Sequence, residues 1–188
     1  MNFTIPNLLS LLRMGLVPPF IIAVLDGQPK RALVIFLLAG ISDALDGAIA
    51  RFFHQQSALG AYLDPIADKL LLTSAYVSLA IPGLNHGAQI PAWVSVLVIA
   101  RDVVIVIVVA VLYLALEIRT FQPSVLSKIT TVFQVAAVLL VLVSGLEPSL
   151  EPLTLGCLYA VAVLTLASGL DYLYRANKVM GTLAAHKR

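Results

Sequence analysis

The sequence predicts an all-α membrane protein: six transmembrane helices, with a polar active site at the cytoplasmic ends of helices 2 and 3. Three observations carry this expectation. Of 188 residues, 60% are hydrophobic and 12% are charged, whereas a soluble domain carries about 25% charged residues. The apolar residues fall in runs close to the roughly 20 needed to cross about 30 Å of hydrocarbon. Charge is concentrated in one stretch, SDALDGAIARFFHQQSALGAYLDPIADKL, which holds four aspartates with Arg51 and Lys69. Six spans with short loops use up the chain, so residues 1–188 are expected to form a single integral membrane domain.

The spans are expected at about Asn7–Leu25, Arg31–Phe53, Ala58–Ile81, Pro91–Leu116, Ser124–Ser144 and Leu153–Tyr174. The breaks DGQPK, IPGLNHG, RTFQP and LEPSLEP carry turn chemistry. VVIVIVVAVLYLAL is β-branched and would suit a strand in water. Lipid leaves an isolated strand's backbone unpaired, so a helix is expected. The N-terminus, MNFTIPNLLSLLR, lacks a basic leader and a small-residue cleavage site, so it does not read as a signal peptide. Cys157, in LTLGCLYAVAV, reads as a small buried hydrophobe. A net charge of +2 argues against a nucleic-acid partner.

If the six spans alternate, one side of the bilayer holds Arg51, Arg119, Arg175, Lys178, Lys187 and Arg188. The other holds Lys30 and Arg31. The excess of basic residues places the aspartate-rich segment and both termini in the cytoplasm. The absence of a targeting segment points to a bacterial plasma membrane.

Asp43, Asp46, Gly47 and Ala50 recur at i, i+3, i+4 and i+7, on one helical face. Gly60, Asp64 and Asp68 recur at i, i+4 and i+8, again on one face. A short connection makes the two helices neighbours, and the small residues permit close approach. Four converging carboxylates repel one another and would partly protonate unless cations balanced them. Arg51 and Lys69 supply some positive charge; two divalent ions balance four carboxylates better. Hard oxygen ligands without His or Cys suit Mg²⁺, Mn²⁺ or Ca²⁺. Magnesium completes its shell with water and phosphate oxygens, which points to a phosphate or diphosphate substrate at the membrane surface and an in-line displacement. A carboxylate left over from coordination can act as general base. The competing account, solvated or structurally paired aspartates, suits one such residue better than four on two facing helices.

Asp43-x2-Asp46-Gly47-x2-Ala50-Arg51-x8-Gly60-x3-Asp64-x3-Asp68 resembles the signature of the CDP-alcohol phosphotransferases at every fixed position. FTIPNLLSLLRMGLVP, LDPIADKLL, the Arg101–Asp102 pair and SKITTVFQ look like the phosphatidylglycerophosphate and cardiolipin synthase branches, so the likeness covers about Phe3 to Gln134. The resemblance implies that Asp43, Asp46 and Asp64 are metal ligands and that Asp68 is the general base or a shared ligand. Gly47, Ala50 and Gly60 would let the nucleotide pack closely, and Arg51 would hold phosphate oxygens of the CDP-lipid. The cofactor would be two Mg²⁺ or Mn²⁺ ions and the donor CDP-diacylglycerol, with CMP released.

The resemblance implies a glycerol-type acceptor, phosphatidylglycerol or glycerol 3-phosphate ahead of other alcohols. Arg101 and Lys128 are candidates for holding its phosphate; alternatively Arg101 pairs with an aspartate on another helix and Lys128 with helix-end carbonyls. SALGAYLDPIADKLLLTSAYVSLA, RDVVIVIVVAVLY and PSVLSKITTVFQ look closer to the eukaryotic-type cardiolipin synthases, and the glycerophosphate branch usually has Arg-Glu where this chain has Arg101–Asp102. This favours phosphatidylglycerol. A homodimer is expected by analogy only. Arg13 is expected either to snorkel to the headgroups or to touch the nucleotide or diphosphate. Asp171 is expected to be solvated or paired with Arg175. The rival classes are an aromatic prenyltransferase, whose aspartate motifs lie on well-separated helices, and an ion or proton transporter with midplane carboxylates and internal repeats. This chain crowds its aspartates together and shows no repeat.

Overall fold

The computed structural model describes residues 5–52, 58–83, 89–116 and 124–186, with side chains described over 8–43, 45, 66–83, 89–110 and 124–178. Among these residues the chain is helical and free of strands. The helices are α1 (Ile5–Leu25), α2 (Pro29–Phe52), α3 (Ala58–Ser78), α4 (Ala92–Leu116), α5 (Val125–Ser144) and α6 (Glu151–His186), with a single 3₁₀ turn at Pro148–Leu150 before α6.

Each described boundary has a local cause. Gly27 closes α1 with φ +63°, a left-handed conformation that costs glycine little. Its N–H donates to the Val24 carbonyl at 3.0 Å, and the Gln28 N–H donates to the Ala23 carbonyl at 2.9 Å. This pair of bonds is a Schellman closure. Pro29 then opens α2 at a position where its missing N–H is no loss. Past α3 the bonds shorten in register, Ala80 to Val77 and Ile81 to Ser78 at 3.3 Å each, and Gly83 turns the chain at φ +84°. Ser124 caps α5: its hydroxyl accepts the Ser127 N–H at 3.1 Å. Pro18 and Pro19 lie inside α1 without ending it.

Four segments of the described residues are long and apolar enough to cross a membrane: Leu8–Leu25, Ala92–Ala110, Val125–Ser144 and Pro148–Lys178. The other two helices, α2 and α3, hold the charged stretch; their 24 and 21 residues rise about 1.5 Å each and can also span. Large apolar side chains are exposed in each of the helices α1, α2, α4, α5 and α6, among them Leu8, Ile22, Leu38, Val96, Val106, Val132 and Leu166, as expected where lipid is the solvent.

The chain divides into two compact units, Met1–Ile90 with Val138–Thr154, and Pro91–Ala137 with Leu155–Arg188. In the first, α1 packs against both α2 and α3. Buried Ala23, Ala32, Ala39, Ala67 and Ala75 let these backbones approach. Phe20 and Phe36 fill the α1–α2 contact with ring centroids 5.7 Å apart. In the second unit Val94, Val98, Leu158, Val161 and Ala162 are buried, and Trp93 meets Tyr159 at 6.2 Å.

Three sequence expectations are refined. The last helix runs to His186 and not to about Tyr174, because nothing from Arg175 to His186 is a proline and hydropathy marks where lipid ends, not where a helix must. The third helix stops at Ser78, three residues short of Ile81, where the backbone tightens into turns. Cys157 is only half-buried, so it is no core residue.

Candidate active site

The first unit brings one residue from each of α1, α2 and α3 to a common point. Arg13 lies midway along α1 and its side chain is 1% exposed. Its Nη2 donates to Asp43 Oδ1 on α2 at 2.9 Å. Its Nη1 donates to Asp68 Oδ1 on α3. Two of the four motif carboxylates, carried by different helices, therefore converge. Both remain open to solvent, with side chains 49% and 51% exposed.

The sequence explains this local arrangement. Arg13 stands in a largely apolar helix, where burying its charge is costly without an anion beside it. Because α1 packs on α2 and α3 together, a planar fork on α1 can serve a carboxylate on each side. Buried Ser42, next to Asp43, turns its hydroxyl back onto the Ala39 carbonyl at 2.7 Å and leaves the carboxylate to Arg13. Both carboxylates face this guanidinium and keep about half their side-chain surface exposed.

The remaining motif positions lie outside the residues whose side chains are described: Asp46, Gly47, Ala50 and Arg51 on α2, and Gly60 and Asp64 on α3. Among the described residues, no three His, Cys, Asp or Glu side chains group as a metal site.

Arg101 and Lys128 belong to the second unit. Arg101 is buried in α4. Its Nη1 donates to Asp102 Oδ1 at 2.8 Å, and its Nη2 donates to the hydroxyls of Ser127 on α5 at 2.5 Å and Ser168 on α6 at 2.7 Å. The carboxylate that neutralises it is thus the next residue of its own helix, where an aspartate of another helix was the expected alternative. Its Nε is buried without a hydrogen-bond partner among the described residues. Lys128 is exposed on α5. On α6, Arg175 Nε reaches both Asp171 oxygens at 3.0 Å, the i,i+4 pair anticipated from the sequence.

Sequence reasoning missed the bridging position of Arg13, for which snorkelling or contact with the nucleotide had been the expectation. It also missed Ser127 and Ser168 as partners of Arg101. The available signal was a charged residue inside an apolar helix, which must find a counter-group in the bundle.

The sequence was also compared with known proteins. The family model for CDP-alcohol phosphatidyltransferase matches residues 3–173. A cardiolipin synthase (CMP-forming) of Rattus norvegicus is 44% identical over 105 residues, which are 55% of this chain and 33% of the relative. A probable phosphatidylglycerophosphate synthase of Mycobacterium tuberculosis is 35% identical over 182 residues, 93% of this chain and 82% of the relative. A CDP-diacylglycerol–glycerol-3-phosphate 3-phosphatidyltransferase of Haemophilus influenzae is 36% identical over 108 residues, 56% of this chain and 57% of the relative. The match to the rat protein, like that to its human counterpart, thus spans about a third of the relative's length. With the aspartate motif, the helical fold and a match over nearly its whole length, the chain belongs to the CDP-alcohol phosphatidyltransferase family.

Proposed function

We propose that the protein transfers a phosphatidyl group from CDP-diacylglycerol to the hydroxyl of a glycerol-type acceptor and releases CMP. The observation that carries this reading is the convergence of Asp43 and Asp68 from α2 and α3 on one point, with half their side-chain surface exposed. The acceptor oxygen attacks the phosphorus attached to diacylglycerol. Its proton passes to a carboxylate oxygen of Asp68, the bond to the bridging oxygen breaks, and CMP leaves with that electron pair.

Asp43, Asp46, Asp64 and Asp68 would hold two Mg²⁺ or Mn²⁺ ions. The described pair fits such ions: both are hard oxygen donors, they meet from two helices, and their oxygens are accessible. When bound, the ions would neutralise the diphosphate and stabilise charge on attacking and leaving oxygens. On the family resemblance, Arg51 would hold phosphate oxygens, and Gly47, Ala50 and Gly60 would leave room for the nucleotide. The acyl chains stay in lipid while the diphosphate reaches the carboxylates at the cytoplasmic face of the membrane.

The acceptor we favour is phosphatidylglycerol, on the motif likeness to the cardiolipin synthases. The full-length likeness to a relative named phosphatidylglycerophosphate synthase supports a second reading, with glycerol 3-phosphate as acceptor. Arg101 and Lys128 are the cationic candidates for acceptor phosphate in either case. Purified protein given labelled CDP-diacylglycerol with each acceptor in turn decides the matter. Cardiolipin formation only with phosphatidylglycerol supports the first reading, and phosphatidylglycerophosphate formation only with glycerol 3-phosphate supports the second. No CMP with either rejects both.

A further inference from the structure

Arg13 occupies an unusual position for a counter-ion. It is almost wholly buried, yet both its partners are half exposed. A buried guanidinium is costly unless it is paired, and Arg13 is held on two sides, by Oδ1 of Asp43 and Oδ1 of Asp68. Its charge sits among the oxygens a divalent cation would take. Two positive groups cannot share those oxygens without strong repulsion.

We infer that Arg13 is the built-in counter-ion of the carboxylate cluster, and that a divalent cation binds in competition with it. This rests on the metal-dependent reading above. The guanidinium ties α1 to α2 and α3 through these two carboxylates. Arg13 would give up at least one of these two bonds when the carboxylates hold a cation. Arg13 is accordingly a positioning residue that sets how tightly the cluster holds its ion. In this role it acts through the two carboxylates it bonds.

A dication sharing these carboxylates with a guanidinium, even with water's screening, is repelled enough to change binding by about tenfold. Arg13→Gln should therefore bind Mn²⁺ at least about tenfold more tightly than the unaltered protein, by titration followed with electron paramagnetic resonance. The same variant should melt at a lower temperature in chelator and gain more from added Mn²⁺. Arg13→Lys keeps the charge but lacks the fork that spans both carboxylates; its Mn²⁺ affinity should fall between the two and serves if the glutamine variant does not fold. Unchanged or weaker Mn²⁺ binding by the variant that folds overturns the competition. Failure of the unaltered protein to bind Mn²⁺ overturns the metal-dependent reading itself, and this inference with it.

Discussion

Arg13 Nη2 stands 2.9 Å from Asp43 Oδ1, joining the first helix to the second at the level of the carboxylate cluster. The same guanidinium bonds Asp68 of the third helix. One side chain thus marks where the reacting groups of the proposed chemistry assemble, and the nearest predictions concern that point.

Removing divalent ions should stop CMP release. Activity in excess chelator should fall to background and return with Mg²⁺ or Mn²⁺, measured by CMP release from CDP-diacylglycerol. Activity indifferent to chelation would falsify the two-metal reading while leaving family membership intact.

Asp68→Asn should cut the rate by about 10²- to 10⁴-fold, the usual contribution of a general base. Asn keeps the shape of the side chain and can accept one bond from Arg13, so the fold should survive. Intact activity with Asn at this position would exclude Asp68 as the base.

The buried and exposed ion pairs of the second unit should behave differently. Asp102→Ala strands the buried Arg101 charge, and a stranded buried charge costs about 3–5 kcal/mol. Replacing Arg101 and Asp102 together with apolar residues should cost much less. Asp171→Asn breaks the pair with Arg175, whose side chain is 52% exposed, and should leave the melting temperature within error. Thermal unfolding of the purified variants in one detergent ranks the three.

Phe20→Ala should destabilise the first unit by about 3–5 kcal/mol, because a fully buried ring would leave a cavity between α1 and α2. Leu8→Ala, on the exposed face of α1, should be mild by the same measurement.

Much of this fold is legible in the chain itself. Gly27 and Ser124 mark helix ends because each supplies something a helix end needs: a left-handed residue in one case, a hydroxyl acceptor in the other. The aspartate spacing was readable for the same kind of reason, since a helical period fixes which residues share a face. The two arginines were harder. An arginine in an apolar helix announces that it needs a partner, yet its partners depend on which helices pack together. Arg13 found carboxylates 30 and 55 positions away. Arg101 found its anion in the adjacent residue, a position that usually points elsewhere on a helix. Two hydroxyls from other helices bond its Nη2, and a serine's place in the sequence gives no hint of such a bond.

The tight turn at Gly27 has a consequence for chain length. Arg13 lies fourteen residues before it and Asp43 sixteen after it, so the two arms of a hairpin work as a calliper whose jaws meet at nearly equal reach. One extra residue in either arm swings its jaw by about 100° and slides it about 1.5 Å. The spacing between this turn and its jaws therefore tolerates exchange of side chains far better than insertion or deletion.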